Sequence, residues 1–372
     1  MNNDWVRRLV SEKQVIVLLG AGGVGKTSCS LGLALMAARQ GKRVGLLSID
    51  PARRLAAALG LAPGQPLKEI AFEEPCLVRG QLFASMLNPK EVFDDMVRKY
   101  APDQETAQKI LHHRLYIAAS SRLAGPAEYM ALAKLQEMVS GEQFDLVILD
   151  TPPDQQALDF LSKPDILANF RENKVMNWLI MPFHMANKMG MGKLLSVGER
   201  LMGGLARVTG LEALRNLAEF LILIQKVIDG FQSVGARILQ TLKSSGTGFL
   251  LVSSGQNNSF RSSATLAKHL RDQSFPLNGV LFNKCLPVDI SESFDQVPDK
   301  NCLAHPWMDQ LLQRSEQEKN GIRNFLMELN KNPLTATENL IIPEQKGCIH
   351  NKESLYEFSF AFCPDPAAES KV

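Results

Sequence analysis

The chain has 372 residues, 45% of them hydrophobic and 22% charged, which is the composition of a globular protein long enough for one large core with an elaboration. Its formal net charge of +2 gives no reason to expect nucleic acid or a membrane surface as the main partner. Six cysteines without any C-x-x-C pair argue against a disulfide framework and against a thiolate zinc site. Met1 to Arg8 carries charges where a secretory leader needs apolar residues, and no run approaches the length of a membrane span, Phe220 to Ile224 included. A cytosolic protein without stable membrane insertion is expected.

The first fifty residues read as one βαβ unit. Val15 to Leu19 is a continuous apolar run, as in a strand buried on both faces. A glycine loop follows, then a helix from about Lys26 to Gln40 stopped by Gly41. Val44 to Ile49 is a second buried strand, and a third lies within Leu77 to Met86. Helices are expected over Lys90 to Tyr100, Gln104 to Ser120 and Ala127 to Ser140, then a strand over Phe144 to Leu149. Further strands are expected at Phe249 to Ser253 and Gly279 to Phe282, an edge strand at Leu340 to Ile342, and a short helix near Glu353 to Phe360. Such alternation implies an α/β fold: a mostly parallel sheet covered on both faces by helices, with ligands at the carboxyl ends of the strands. The segment Arg171 to Lys243 has no strand pattern, and its glycines punctuate what read as short amphipathic helices. The expected organisation is a core over 1–170, an all-helical insertion over 171–245, and the rest of the core with a C-terminal tail over 246–372.

The chemistry is concentrated at Gly20-Ala21-Gly22-Gly23-Val24-Gly25-Lys26-Thr27, a complete G-x-x-x-x-G-K-T run between a strand and a helix, with Ser28 following. A triphosphate must be met by several backbone N–H groups at once, and glycines let the chain curl closely enough to supply them. The helix N-terminus adds a positive dipole end. Lys26 is then placed to neutralise β- and γ-phosphates, and the Thr27 hydroxyl to ligate Mg²⁺. Asp150 ends the strand Leu146 to Leu149, the position of a carboxylate that holds the metal through water; taken alone, an aspartate there is equally a turn or cap. Asp50, followed by Pro51, ends the second strand and reads either as a carboxylate serving the attacking water and the metal, or as an Asp-Pro turn.

These motifs resemble the anion-transporting ATPase family, which includes the arsenite-pump and the tail-anchored-protein targeting ATPases. The likeness is carried by Gly20 to Ser28, Ser48 to Leu55, Asp150 to Pro153 continuing through Ala157 to Leu161, and Gly279 to Lys284. The resemblance implies a dimeric, Mg²⁺-dependent ATP-hydrolysing P-loop fold. Within it, Asp50 lies in switch I and acts on the hydrolytic water, and Asp150 opens switch II. Asn283 reads the adenine ring with its amide, and Pro343 packs on the base. One departure stands out. The family's loop normally carries a second lysine that reaches the partner's phosphates, and here that position is Ala21. A methyl cannot stabilise charge developing on a phosphoryl group. A bacterial subgroup of the family shares such lysine-poor loops, so two readings stay open: an ATPase switch, or a weakly catalytic regulatory subunit paired with a lysine-bearing paralogue. Arg53 and Arg54 are candidate substitute cations, equally readable as surface residues. The cysteines and the histidines His112, His113 and His350 lack ligand spacing for an arsenite or zinc site.

Six of the 14 methionines fall between Met176 and Met202, and Met181, Met185 and Met189 share one helical face. That stripe suits either a hydrophobic protein client within 171–245 or packing against the core or a second subunit.

Overall fold

The computed structural model describes residues 4–49, 59–61, 67–73, 78–117, 126–152, 211–286, 305–331, 337–345 and 349–363, with single residues at 65, 76 and 347. Asp50, Arg53, Arg54, the segment from Pro153 through the methionine stripe, Cys302 and Cys348 lie outside the described residues.

In chain order the described elements are α1 (Asp4–Glu12), β1 (Val15–Gly20), α2 (Lys26–Arg39), β2 (Arg43–Ser48), β3 (Lys68–Glu69), β4 (Gln81–Met86), α3 (Pro89–Tyr100), α4 (Gln104–Leu111), α5 (Pro126–Ser140) and β5 (Leu146–Asp150). They continue with α6 (Leu211–Lys243), β6 (Thr247–Ser254), α7 (Asn257–Asp272), β7 (Leu277–Cys285), α8 (His305–Leu329), β8 (Glu338–Pro343) and α9 (Lys352–Ser359). The strands form one sheet in the order β3-β4-β2-β5-β1-β6-β7-β8. Every pairing is parallel except β3 with β4. The α/β expectation therefore holds, and Leu340 to Ile342 does form the edge strand.

Two compact units are distinguishable. The first comprises 1–87, 135–159 and 240–372 and contains the whole sheet; the second comprises 88–134 and 160–239. In the first unit the strands sort their side chains to two faces, as the two-residue repeat requires. Ile16, Leu18, Leu250, Val252 and Leu281 join a core with α1, α2 and α9. Phe282, on the opposite face, meets the rings of Phe260 on α7 and Phe325 on α8 at 6.2 and 6.1 Å. Each fully buried side chain of this size contributes about 1.5–3 kcal/mol. Helix α2 packs closely on the chain's C-terminal aromatics: a Cβ on Gly32 would stand 2.5 Å from the Phe362 ring and 2.8 Å from Phe358. It ends where expected, at Gly41 with φ 96°.

In the second unit, Phe93 on α3 stacks on Tyr116 with centroids 5.3 Å apart, and the Tyr116 hydroxyl donates to Asp94. Burial and this bond push the phenol above its ordinary range. Two sequence expectations are corrected here. The helix begun at Gln104 breaks at Leu111, and helical pairing resumes over 114–117, where the His113 imidazole caps the new start by accepting the Leu115 N–H at 3.2 Å; Ser120 lies outside the described residues. The described part of the segment read as short helices, Leu211–Lys243, is instead one helix of 33 residues; the punctuating Gly190, Gly192, Gly203 and Gly204 lie outside the described residues. The Tyr100 ring packs over Gly230 within it, 2.3 Å from where a Cβ would lie, and a single interior glycine is tolerated. Among the described residues no helix is long and apolar enough to cross a membrane.

Candidate functional site

Strand β1 is the centre of the site, since the connection from β1 to β2 and that from β6 to β7 lead to opposite sides of the sheet. In open α/β sheets that divide is where ligands bind, beyond the carboxyl ends of the strands. Gly20 ends β1 against β6 so closely that a Cβ there would lie 2.2 Å from the Val252 carbonyl oxygen. The chain then curls through Gly23 and Gly25, whose φ values of 79° and 90° are left-handed and suit glycine. Gly25 is the N-cap of α2, and no side chain caps that end. The first-turn N–H groups of a helix otherwise need an acceptor, so the loop presents a ready anion cradle.

Lys26 is 4% exposed and lies across this loop, its Nζ donating to the carbonyls of Gly20 and Ala21 at 2.9 and 3.0 Å. Thr27 and Ser28 follow, half-buried, in the first turn of α2. The methyl of Ala21 belongs to the buried core cluster. Gly22 and Gly23 are exposed.

On one side of the loop stands Asp150, fully buried. Its register partners are Leu18 on β1 and Ser48 on β2. Ser48 Oγ donates to one carboxylate oxygen at 2.8 Å, and Ser30 Oγ on α2 lies 3.3 Å from the other. The next residue, Thr151, donates its hydroxyl to the Leu18 carbonyl at 2.7 Å, which ties the exit of β5 to β1. Cys29 is completely buried nearby, and burial first, then the Asp150 charge, pushes its thiol well above the usual range. It is a packing residue rather than a ligand.

On the other side stands the end of β7. Asn283, 4% exposed, donates Nδ2 to the Val24 carbonyl at 2.9 Å. Lys284, exposed, donates Nζ to the Gly23 carbonyl at 2.8 Å. Pro343 is exposed at the last position of β8, in register with Cys285, where a residue without an N–H is tolerated on an edge strand. The Cys285 thiol is buried and pushed up to about 12, chiefly by desolvation and then by Glu318.

Of the residues singled out in the sequence, Gly20 to Ser28, Asp150, Asn283 and Pro343 are thus gathered at one edge of the sheet. Ser30, Ser48 and Lys284 carry contacts that sequence reading did not assign. Ser30 is one helical turn beyond Lys26 and Ser48 closes a strand beside Asp150, so both were accessible to a register argument. Lys284 was not, since its partner is 261 residues away. Among the described residues no cluster of three His, Cys, Asp or Glu side chains forms a metal cage, and Cys29, Cys76 and Cys285 are buried thiols outside any disulfide.

Residues 13–320 match the model of a family described as anion-transporting ATPase. The chain is 33% identical over 171 residues to a protein named ATPase ASNA1 homolog from Babesia bovis, covering 44% of this chain and 43% of that one. It is 32% identical over 149 residues to ATPase get3 of Schizosaccharomyces japonicus, covering 40% of this chain and 43% of the relative. A putative arsenical pump-driving ATPase of Prosthecochloris vibrioformis is 31% identical over 159 residues, 42% of this chain and 36% of its own length. The matched stretch therefore spans less than half the length of these relatives. The family model itself covers most of the chain, and its phosphate loop, buried strand-end aspartate and β7 asparagine lie together at one sheet edge. This chain belongs to the anion-transporting ATPase family.

Proposed function

We propose that this protein binds and hydrolyses ATP with Mg²⁺, acting as a dimeric switch whose nucleotide state reshapes a helical surface within 171–245. The observation that carries the reading is the uncapped N-terminus of α2 behind a two-glycine left-handed loop, with Lys26 laid across its mouth. A triphosphate fits such a cradle because the loop supplies fixed N–H donors, and Lys26 meets it on releasing the Gly20 and Ala21 carbonyls.

The carboxylate of Asp150, oriented by the Ser48 and Ser30 hydroxyls, and the Thr27 hydroxyl form an oxygen donor set suited to Mg²⁺, with Asp50 as a further candidate. Bound there, the ion would supply counter-charge to the β- and γ-phosphates. Lys26 binds the same phosphates, Asp50 orients and deprotonates the attacking water, and Asn283 with Pro343 faces the adenine.

Lys26→Ala is expected to abolish ATP binding, and Asp50→Asn to retain binding while losing turnover. Equilibrium binding and phosphate release on the purified chain check both. Hydrolysis at the parental rate in Asp50→Asn refutes the role given to that carboxylate.

A second reading is favoured by Ala21, whose buried methyl stands where the family's cross-dimer lysine is expected. In that reading the chain is a weakly catalytic subunit of a heterodimer with a lysine-bearing paralogue. Turnover of the chain alone and mixed with such a paralogue separates the two: activity only in the mixture excludes the stand-alone enzyme. The methionine stripe suits a hydrophobic protein client or a packing surface, and crosslinking from 171–245 with and without ATP distinguishes them.

A further inference from the structure

Lys284 holds an unusual backbone conformation for a lysine. Its φ of 59° is in the left-handed region, which long side chains seldom adopt. The surrounding structure fixes it there: the Glu344 N–H donates to the Cys285 carbonyl at 2.8 Å, and the Leu286 N–H donates to the buried Glu318 carboxylate at 2.9 Å. Non-glycine residues kept in that region by their neighbours concentrate at functional sites. The result of this turn is that the exposed Lys284 ammonium reaches the carbonyl of Gly23, while the preceding Asn283 amide reaches the carbonyl of Val24.

These are consecutive peptides of the phosphate loop. A trans peptide is planar, with its N–H antiparallel to its C=O. Holding the Gly23 and Val24 carbonyls toward β7 therefore turns the Val24 and Gly25 N–H groups away from it, into the cradle. A carbonyl that accepts from a cation also polarises its own peptide and strengthens the N–H on the other end as a donor. The close fit is enforced at Gly25, where a Cβ would lie 2.3 Å from Asn283 Nδ2 and 3.8 Å from Lys284 Cε.

We propose that Lys284 is a nucleotide-positioning residue that sets the Gly23–Val24 peptide for phosphate binding and supplies, from the same chain, positive charge beside a loop that lacks one at Ala21. The proposal rests on the nucleotide-binding reading above. It assigns Lys284 an action through the loop rather than on the reacting atoms.

The test uses the full chain and ATP, with Lys284→Met, Lys284→Gly and Lys284→Arg beside Lys26→Ala. Losing one charge-assisted contact is expected to weaken ATP binding about tenfold in Lys284→Met and to flatten its dependence on ionic strength. Lys284→Arg restores part of the affinity. Lys284→Gly suits the left-handed backbone, so its melting temperature equals or exceeds the parent's while its affinity falls as in Lys284→Met. That split separates positioning from simple support of the fold, and it remains readable if the methionine variant folds poorly. ATP affinity within twofold of the parent in Lys284→Gly, with binding lost in Lys26→Ala, overturns the role of Lys284 alone. Unchanged binding in Lys26→Ala overturns the nucleotide reading itself.

Discussion

The two flanks of the phosphate loop are built on opposite plans. Toward β2 and β5, a fully buried carboxylate is held by side-chain hydroxyls of neighbouring elements, Ser48 and Ser30. Toward β7, an amide and an ammonium reach into the loop's own backbone, and the ammonium stays exposed. The buried flank fixes where an acid sits, which suits a metal ion that tolerates little positional error. The exposed flank fixes how the loop's peptides point, which suits a polyanion met by many N–H groups at once. One cradle thus separates placing a charge from orienting dipoles.

Substitutions that act on one flank only can break that comparison. The largest effect is expected at Gly25→Ala, which strains a φ of 90° and drives a methyl into Asn283 Nδ2. ATP affinity should fall about a hundredfold or more, since left-handed strain and a steric clash combine. Isothermal titration at saturating Mg²⁺ measures it, and an affinity near the parent's would mean that the β7 flank does not set the loop. A smaller, selective effect is expected for Ser48→Ala on the buried flank. The Mg²⁺ concentration for half-maximal turnover should rise by roughly three- to tenfold, the net worth of one ordinary hydrogen bond, while metal-free nucleotide binding stays put. Equal losses with and without Mg²⁺ would erase the distinction between the flanks. Smallest for the site is Gly32→Ala, where a methyl would meet Phe358 and Phe362. Overpacking should cost about 1–3 kcal/mol of stability in a denaturant melt with ATP affinity unchanged below the transition.

What could be read from sequence divides along a similar line. Buried strands announce themselves as apolar runs, and the phosphate loop is a local string, so Val15–Gly20 and Gly20 to Thr27 were legible with the strand-end Asp150. The long helix Leu211–Lys243 was not recognised as one element, although its run of helix-forming residues favours it and a single interior glycine is tolerated. Helix α1 was legible too, since its buried Trp5, Val6, Leu9 and Val10 recur at helical spacing. Asn283 was visible through family likeness, whereas its hold on Val24 and that of Lys284 on Gly23 exist only once β7 lies near β1.

The close seating of Gly32 against Phe358 and Phe362 has a consequence for how the protein is made. The helix that begins at the phosphate loop belongs to the first βαβ unit synthesised, yet its final packing partners lie more than three hundred residues downstream. At roughly 5 to 20 residues per second, translation delivers those rings on the order of tens of seconds after Gly32 has emerged. Through that interval the apolar back of α2 has no aromatic cover, and a nascent chain in this state is the form most in need of a chaperone.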